Sequence, residues 1–162
     1  MNTPSLQHEL KKKQPFECAS QEAYLNLIRT AGELSGPMHA LFKSHGLSES
    51  TYNVLRILRG AAKTEEAKGL PCLEVADRLV TRVPDITRLV DRLIKAGLAQ
   101  RCRGDIDRRV VVVSITDAGQ ALLSKLDRPV RKLHEQQFAH LTGKDVKDLN
   151  RLLEKARTPP GE

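Results

Sequence analysis

The chain has 162 residues, 40% of them hydrophobic and only 3% aromatic, which is enough for one domain whose core must be built from leucine, valine and isoleucine. Its formal net charge of +7 favours a polyanionic partner, and no apolar run approaches the roughly 20 residues that a membrane helix needs. The polar start MNTPSLQHELKKKQPFE lacks an apolar h-region, and Cys18, Cys72 and Cys102 are odd in number with no C-x-x-C, so a reduced, cytoplasmic chain is expected.

Residues 22–44 read as the first helix. Leu25, Leu27, Ile28, Ala31, Leu34, Met38, Leu41 and Phe42 recur at helical spacing, in a stripe broad enough to pack against a second subunit as well. Gly36-Pro37 is expected to kink or split that helix. Ser48 caps the next helix, with Leu47 and Tyr52 placed as a hydrophobic staple and Val54, Leu55 and Leu58 on its buried side. GAAKTEEAKG, residues 60–69, is a polar connection with room for that helix to run into it. Leu70-Pro71-Cys72 is expected to be extended, residues 73–80 a short helix and residues 80–83 a turn. Pro84 suits the first position of a further helix, where its missing N–H costs nothing. Ile86, Leu89, Val90, Leu93 and Ile94 form the stripe of that helix, and Gly97 ends it. A strand over 98–102, an arginine-rich tip over 103–109 and a β-branched strand over 110–115 make a hairpin. Thr116 caps a long helix to about residue 140, with Leu122, Leu123, Leu126, Val130 and Leu133 on its apolar face and a kink expected at Pro129. Thr142 and Asp145 form a capping box for the last helix, whose stripe is Val146, Leu149, Leu152 and Leu153.

Two short helices, a hairpin with an arginine-rich tip and a following helix make a winged helix-turn-helix. A helix about 10–12 Å across fits the major groove of B-DNA, and guanidinium groups suit the negative potential of an adjacent minor groove. The runs ITRLVDRLIKAGLAQR and DIDRRVVVVSITDAG resemble the MarR family of winged helix-turn-helix transcription regulators. The family's wing signature is Asp-x-Arg, a hydrophobic strand and a Leu-Thr-x-x-Gly close. Asp107, Arg109, residues 110–113, Ile115 in place of leucine, Thr116 and Gly119 meet it. FECASQEAYLNLIRTAGELSGPMHALFKSHGLSESTYNVLRILRGA resembles the family's first two helices, so the resemblance spans roughly residues 16–153.

The resemblance implies a mainly α fold with a small β-wing, in a single domain over 1–162. Residues 1–44 would hold an N-terminal tail and the first dimerisation helix, 48–115 the winged helix-turn-helix, and 116–157 the C-terminal dimerisation helices. It further implies a homodimeric, sequence-specific DNA-binding regulator, a ligand-responsive repressor on a pseudo-palindromic operator of double-stranded DNA. A low-specificity architectural DNA-binding protein and a winged-helix protein-interaction module are the alternatives. No nucleophile–base pair, phosphate loop or metal cluster stands in the sequence. His134-Glu135-Gln136-Gln137-Phe138 misses HExxH because Phe138 takes the second histidine's place. Neither enzymatic activity nor a cofactor or metal is expected.

Thr87 and Arg88 are expected to face the major groove, with Arg82 at its entrance and Arg88 on a guanine or a phosphate. Pro84 and Asp85 stand where the family often has serine or threonine. Asp85 would accept from a cytosine amino group or stabilise the helix N-terminus. Arg92 is expected to brace the wing through an acidic partner, and Arg101 and Arg103 to meet phosphates. Arg108 and Arg109 are the wing's minor-groove candidates, with Asp107 either orienting an arginine by a bidentate pair or only shaping the hairpin. Lys11-Lys12-Lys13 is a solvated tail or a DNA-contacting arm.

Many relatives bind small aromatic or phenolic acids between the dimer helices and the DNA-binding lobe. Met38, His39, Phe42 and Tyr52 are the candidate lining here, against a plain core role for each, and His39 is the candidate partner of a carboxylate. Some relatives sense peroxides through a cysteine inside the first helix. Cys18 lies just before that helix and has no basic neighbour in sequence to activate it, while Cys72 and Cys102 read as small apolar residues of the wing sheet.

Overall fold

With few aromatics to work with, the core is aliphatic. Val54, Leu55, Leu58, Val75, Val90, Leu93, Val113, Leu123 and Leu126 are sealed from solvent and form one cluster. A computed structural model describes residues 5–63, 69–103 and 111–158. In chain order these form α1 (Leu6–Glu9), α2 (Ala19–Lys43), α3 (Glu49–Ala61), α4 (Cys72–Asp77), α5 (Ile86–Lys95), β1 (Ala99–Arg103), β2 (Val111–Ile115), α6 (Asp117–Gln137) and α7 (Gly143–Arg157).

α3 is the hub. It packs against α2, α4, α5, α6 and β2 and buries Val54, Leu55 and Leu58. Its start is fixed by a capping box: Ser48 Oγ accepts from the Thr51 N–H at 3.2 Å, and Thr51 Oγ1 accepts from the Ser48 N–H at 2.8 Å. Its outer side is tied to α6 by charge. Arg59 grips both oxygens of Asp127 at 2.8 and 2.6 Å, and Arg56 reaches the same carboxylate at 3.1 Å. The Arg59 hydrogen bonds hold the Asp127 carboxyl below its ordinary range, and the same contacts raise Arg59.

α2 is not split at Gly36-Pro37 but runs unbroken for 25 residues. Proline removes one N–H from the ladder, a local loss that packing outweighs where Met38 and Phe42 are buried on either side of the next turn. One turn before the proline, the Leu34 carbonyl also accepts a 2.6 Å hydrogen bond from Gln137 Nε2 of α6. α6 likewise runs through Pro129 and ends at Gln137, short of residue 140. The N-terminal tail expectation is corrected: residues 6–9 form a helical turn whose Leu6 is buried and whose Glu9 pairs with Arg29 of α2 at 2.7 Å. Lys12 donates to the Gln14 and Pro15 carbonyls.

The hairpin pairs antiparallel from Ala99↔Ile115 to Arg103↔Val111. Leu70 alone, not Leu70-Pro71-Cys72, joins its edge, by a two-bond bridge to Val113. Cys72 is the first residue of α4 instead, because Pro71 with its fixed φ takes the cap position. α4 stops at Asp77, so the connection to α5 covers residues 78–85 rather than 80–83. The wing is joined to α6 at Thr116, whose Oγ1 accepts from the Gly119 N–H and donates to the Gly97 carbonyl at 2.7 Å. Gly119 leaves the room for this joint. A Cβ there would run into the Leu98 carbonyl and come within 2.8 Å of Ile115 Cγ1. α7 starts from the expected Thr142–Asp145 box, which holds the Asp145 carboxyl below its ordinary range, but it buries none of its residues within the chain.

Candidate nucleic-acid interface

α5 is a ten-residue helix with one face in the core, through Val90 and Leu93, and the other in solvent. Pro84 lies outside the helix rather than at its first position. Asp85 is the N-cap, and its carboxylate accepts from the Arg88 N–H at 3.0 Å while pairing with Arg88 Nε at 3.1 Å. Asp85 thus stabilises the helix N-terminus, one of the two roles expected of it. Thr87 is exposed, the Arg88 side chain is 81% exposed, and Arg82 is exposed in the connection before the helix. Thr87 and Arg88 thus stand at the open first turn of a helix that is anchored on its other side.

The wing is braced to this helix by a different arginine from the one expected. Arg101 of β1 pairs with Asp91 of α5 at 2.7 Å, while Arg92 is exposed on α5. The reason is helical phase. Asp91 follows Val90 on the side turned to β1, and Arg92 is rotated about 100° further round. Arg103 is exposed at the end of β1. Asp107, Arg108 and Arg109 lie outside the described residues. Cys102 is half-buried in the sheet with Sγ 3.6 Å from Ser114 Oγ, and Cys18 is exposed at the N-cap of α2.

A cavity of about 530 Å³ separates α2 and α6 from the α4–α5 connection. Met38, Phe42 and Tyr52 line it as expected, and the Phe42 and Tyr52 rings stack with centroids 4.2 Å apart and planes at 21°. His39 does not line it and is exposed, because one residue past Met38 it turns to another face of α2, whereas Phe42, four past, returns to the same one. The imidazole at this cavity is that of His134, from α6. A neighbouring cleft shares Tyr52, Asn53, Val130 and His134 with it and adds Arg56, Asp127, Arg131 and Glu135. One end of the space is therefore apolar and the other charged.

No protein-family model matches the chain. A crystal structure of a MarR transcription factor from Planctomyces limnophilus is 44% identical to it, with 86% of this chain and 98% of that one covered and a TM-score of 0.63. The chain belongs to the MarR family of transcription regulators. The HTH-type transcriptional repressor IacR of Pseudomonas putida is 28% identical over 128 residues, 79% of this chain and 73% of that protein. CouR from Rhodococcus jostii RHA1, solved bound to p-coumaroyl-CoA, shares the fold with a TM-score of 0.73 at 24% identity, over 91% of this chain and 99% of that one.

In this MarR-family chain one polar residue outside the recognised motifs also bonds to the connection before α5. Asn53, on α3, accepts a 2.9 Å hydrogen bond at Oδ1 from the Val80 N–H, in the connection before α5. A polar residue next to the buried run Val54-Leu55 is the only local sign of it, and nothing at that position names a partner 27 residues away. Among the described residues no group of three or more His, Cys, Asp or Glu could hold a metal ion, and no described helix is long and apolar enough to cross a membrane.

Proposed function

We propose that this protein is a homodimeric repressor, acting in the cytoplasm, that binds a pseudo-palindromic DNA operator and is controlled by a small aromatic or phenolic acid. The observation that carries the DNA half is the anchored α5 with Thr87 and the 81%-exposed Arg88 on its open first turn, in a chain of net charge +7. The wing arginines Arg108 and Arg109, oriented by Asp107, supply the minor-groove contacts of this scheme, Arg82, Arg92 and Arg103 its phosphate contacts, and Arg101 holds the wing against α5 through Asp91. Asp85 and Pro84 then act through the position of the helix start. The repressor IacR and the MarR transcription factor of P. limnophilus support the same role.

The cavity supports the ligand half. An aromatic ring fits against the Phe42–Tyr52 stack beside Met38, and the acid group fits the end where Arg131 and His134 stand. The liganded CouR is a relative of the same fold. An effector of this kind shifts DNA affinity only by its differential affinity for the two arrangements of the lobes.

The deciding experiment is selection of bound duplexes from a random pool at physiological salt. Recovery of a pseudo-palindrome is the expected result. A pool that stays random while still binding would favour an architectural protein, and no retention at all would favour an interaction module.

A further inference from the structure

We infer that Asn53 is a positioning residue for the recognition helix, and that the cavity acts on DNA binding through its hydrogen bond to Val80. This rests on the DNA-binding role proposed above. The connection over 78–85 sets where α5 begins, and few bonds fix it. The Leu79 N–H closes the end of α4 on the Ala76 carbonyl at 3.2 Å, and the Arg88 N–H closes the start of α5 on Asp85 at 3.0 Å. Between them, among the described residues, the bond from the Val80 N–H to Asn53 Oδ1 is the one that ties this connection to a helix outside the motif. The Val80 side chain adds no anchor, being 88% exposed, so apart from this bond the connection is held by Leu79, which packs against the core.

Asn53 is itself held firmly. Tyr52 before it is stacked on Phe42, and Val54 after it is fully buried. The acceptor is thus fixed to the hub helix, and the donor sits six residues before the first residue of α5.

Both ends of this bond are in the cavity wall. Asn53, Leu79, Val80 and Thr81 line it together with Met38, Phe42 and Tyr52. Asn53 Oδ1 is committed to Val80, while its amide N–H₂ donates to nothing among the described residues and is open to a ligand acceptor such as a carboxylate oxygen. A ligand seated there meets the Asn53 amide and the exposed Val80 at once. Drawing the amide toward a carboxylate, or pressing Val80 outward, breaks the bond and loosens the connection that leads into α5.

The test uses the full chain and the DNA recovered from the selection above. Asn53→Leu keeps the size and removes the acceptor, while Asn53→Asp keeps an acceptor. Asn53→Leu is expected to weaken binding about tenfold, the worth of one neutral hydrogen bond, and Asn53→Asp to restore most of it. Ser35→Trp fills the cavity from α2 and mimics occupancy without a known effector. It is expected to weaken DNA binding in the parent and to add nothing in Asn53→Leu, because both act on one bond. Unchanged binding in Asn53→Leu, equal losses in the Leu and Asp variants, no effect of Ser35→Trp, or fully additive losses would each overturn the inference. Should a variant fail to fold, amide exchange in the unaltered protein decides: the Val80 N–H is expected to exchange at least tenfold more slowly than those of Thr81 and Arg82, and equal rates would overturn it. Exchange needs no DNA, so a protein that selects no sequence would sink the proposed function while the Val80 bond is still judged.

Discussion

Asp85 and Arg88 divide between them what a recognition helix needs at its first turn. The carboxylate satisfies the Arg88 N–H and pairs with the Arg88 side chain, so the helix start and the pose of the arginine depend on one group. Asp85→Ala is expected to cost about 1 kcal/mol of stability, the usual worth of an N-cap, in urea unfolding. Asp85→Asn keeps the cap and removes a negative charge facing phosphates, so it should bind DNA more tightly at unchanged stability. Weaker binding would mean that the carboxylate itself reads a base or aims Arg88. Arg88→Ala should cost about 1–3 kcal/mol on the selected operator if Arg88 reads a base, and an equal loss on random duplex would make it a phosphate contact. The cap role of Asp85 was one of two open in the sequence, because a carboxylate three residues before the helix's first exposed arginine suits either. The misplacement of His39 has a different origin. Periodicity marks a stripe but not its edges, and His39 lies just past the edge that Met38 and Phe42 define.

At the scale of elements, the sequence speaks most clearly where signals are local. The Ser48 and Thr142 caps, the stripe of α5, the glycine after it and the β-branched strand all appear where spacing predicts them. What it does not show are bonds between side chains far apart in sequence: Asn53 to Val80, Gln137 to Leu34, and Asp127 to Arg59, which is 68 residues away. Nor does it show that packing would carry α2 through Pro37. The Asp127 cluster yields a prediction at this scale because it joins α3, the hub, to α6. Arg59 holds the Asp127 carboxyl low, so the stabilisation is complete above the ordinary carboxylate pKa of about 3.9 and is lost as pH falls through the lowered value. Asp127→Asn should lower stability at neutral pH by about 1 kcal/mol, a figure kept small because the carboxylate side chain is 44% exposed and screened by solvent. The difference from the parent should vanish in strong acid. A gap in unfolding midpoint that persists unchanged at low pH would show that the pair contributes through shape, not charge.

At the scale of the molecule, the apolar surface is distributed in a way one chain does not use. α7 carries Val146, Leu149, Leu152 and Leu153 on one stripe yet buries none of its residues, and Leu152 is 53% exposed. The first half of α2 leaves Tyr24, Leu27 and Ile28 at 63%, 45% and 54% exposure. A stripe of this kind at each end of the chain suits a second copy, and a symmetric pair would set two α5 helices on one DNA molecule. Leu152→Glu places a charge in that stripe without touching α5, the wing or the cavity. Sedimentation at micromolar concentration is expected to show a dimer for the parent and a monomer for Leu152→Glu, with helical content retained because Leu152 holds nothing in its own core. DNA binding should fall far more on a full palindrome than on an isolated half-site, because the second half-site contact is intramolecular only while the two copies stay joined. A variant that remains dimeric would place the subunit contact elsewhere than on α7. One that turns monomeric yet binds the palindrome as tightly as the parent would show that each copy reads DNA on its own.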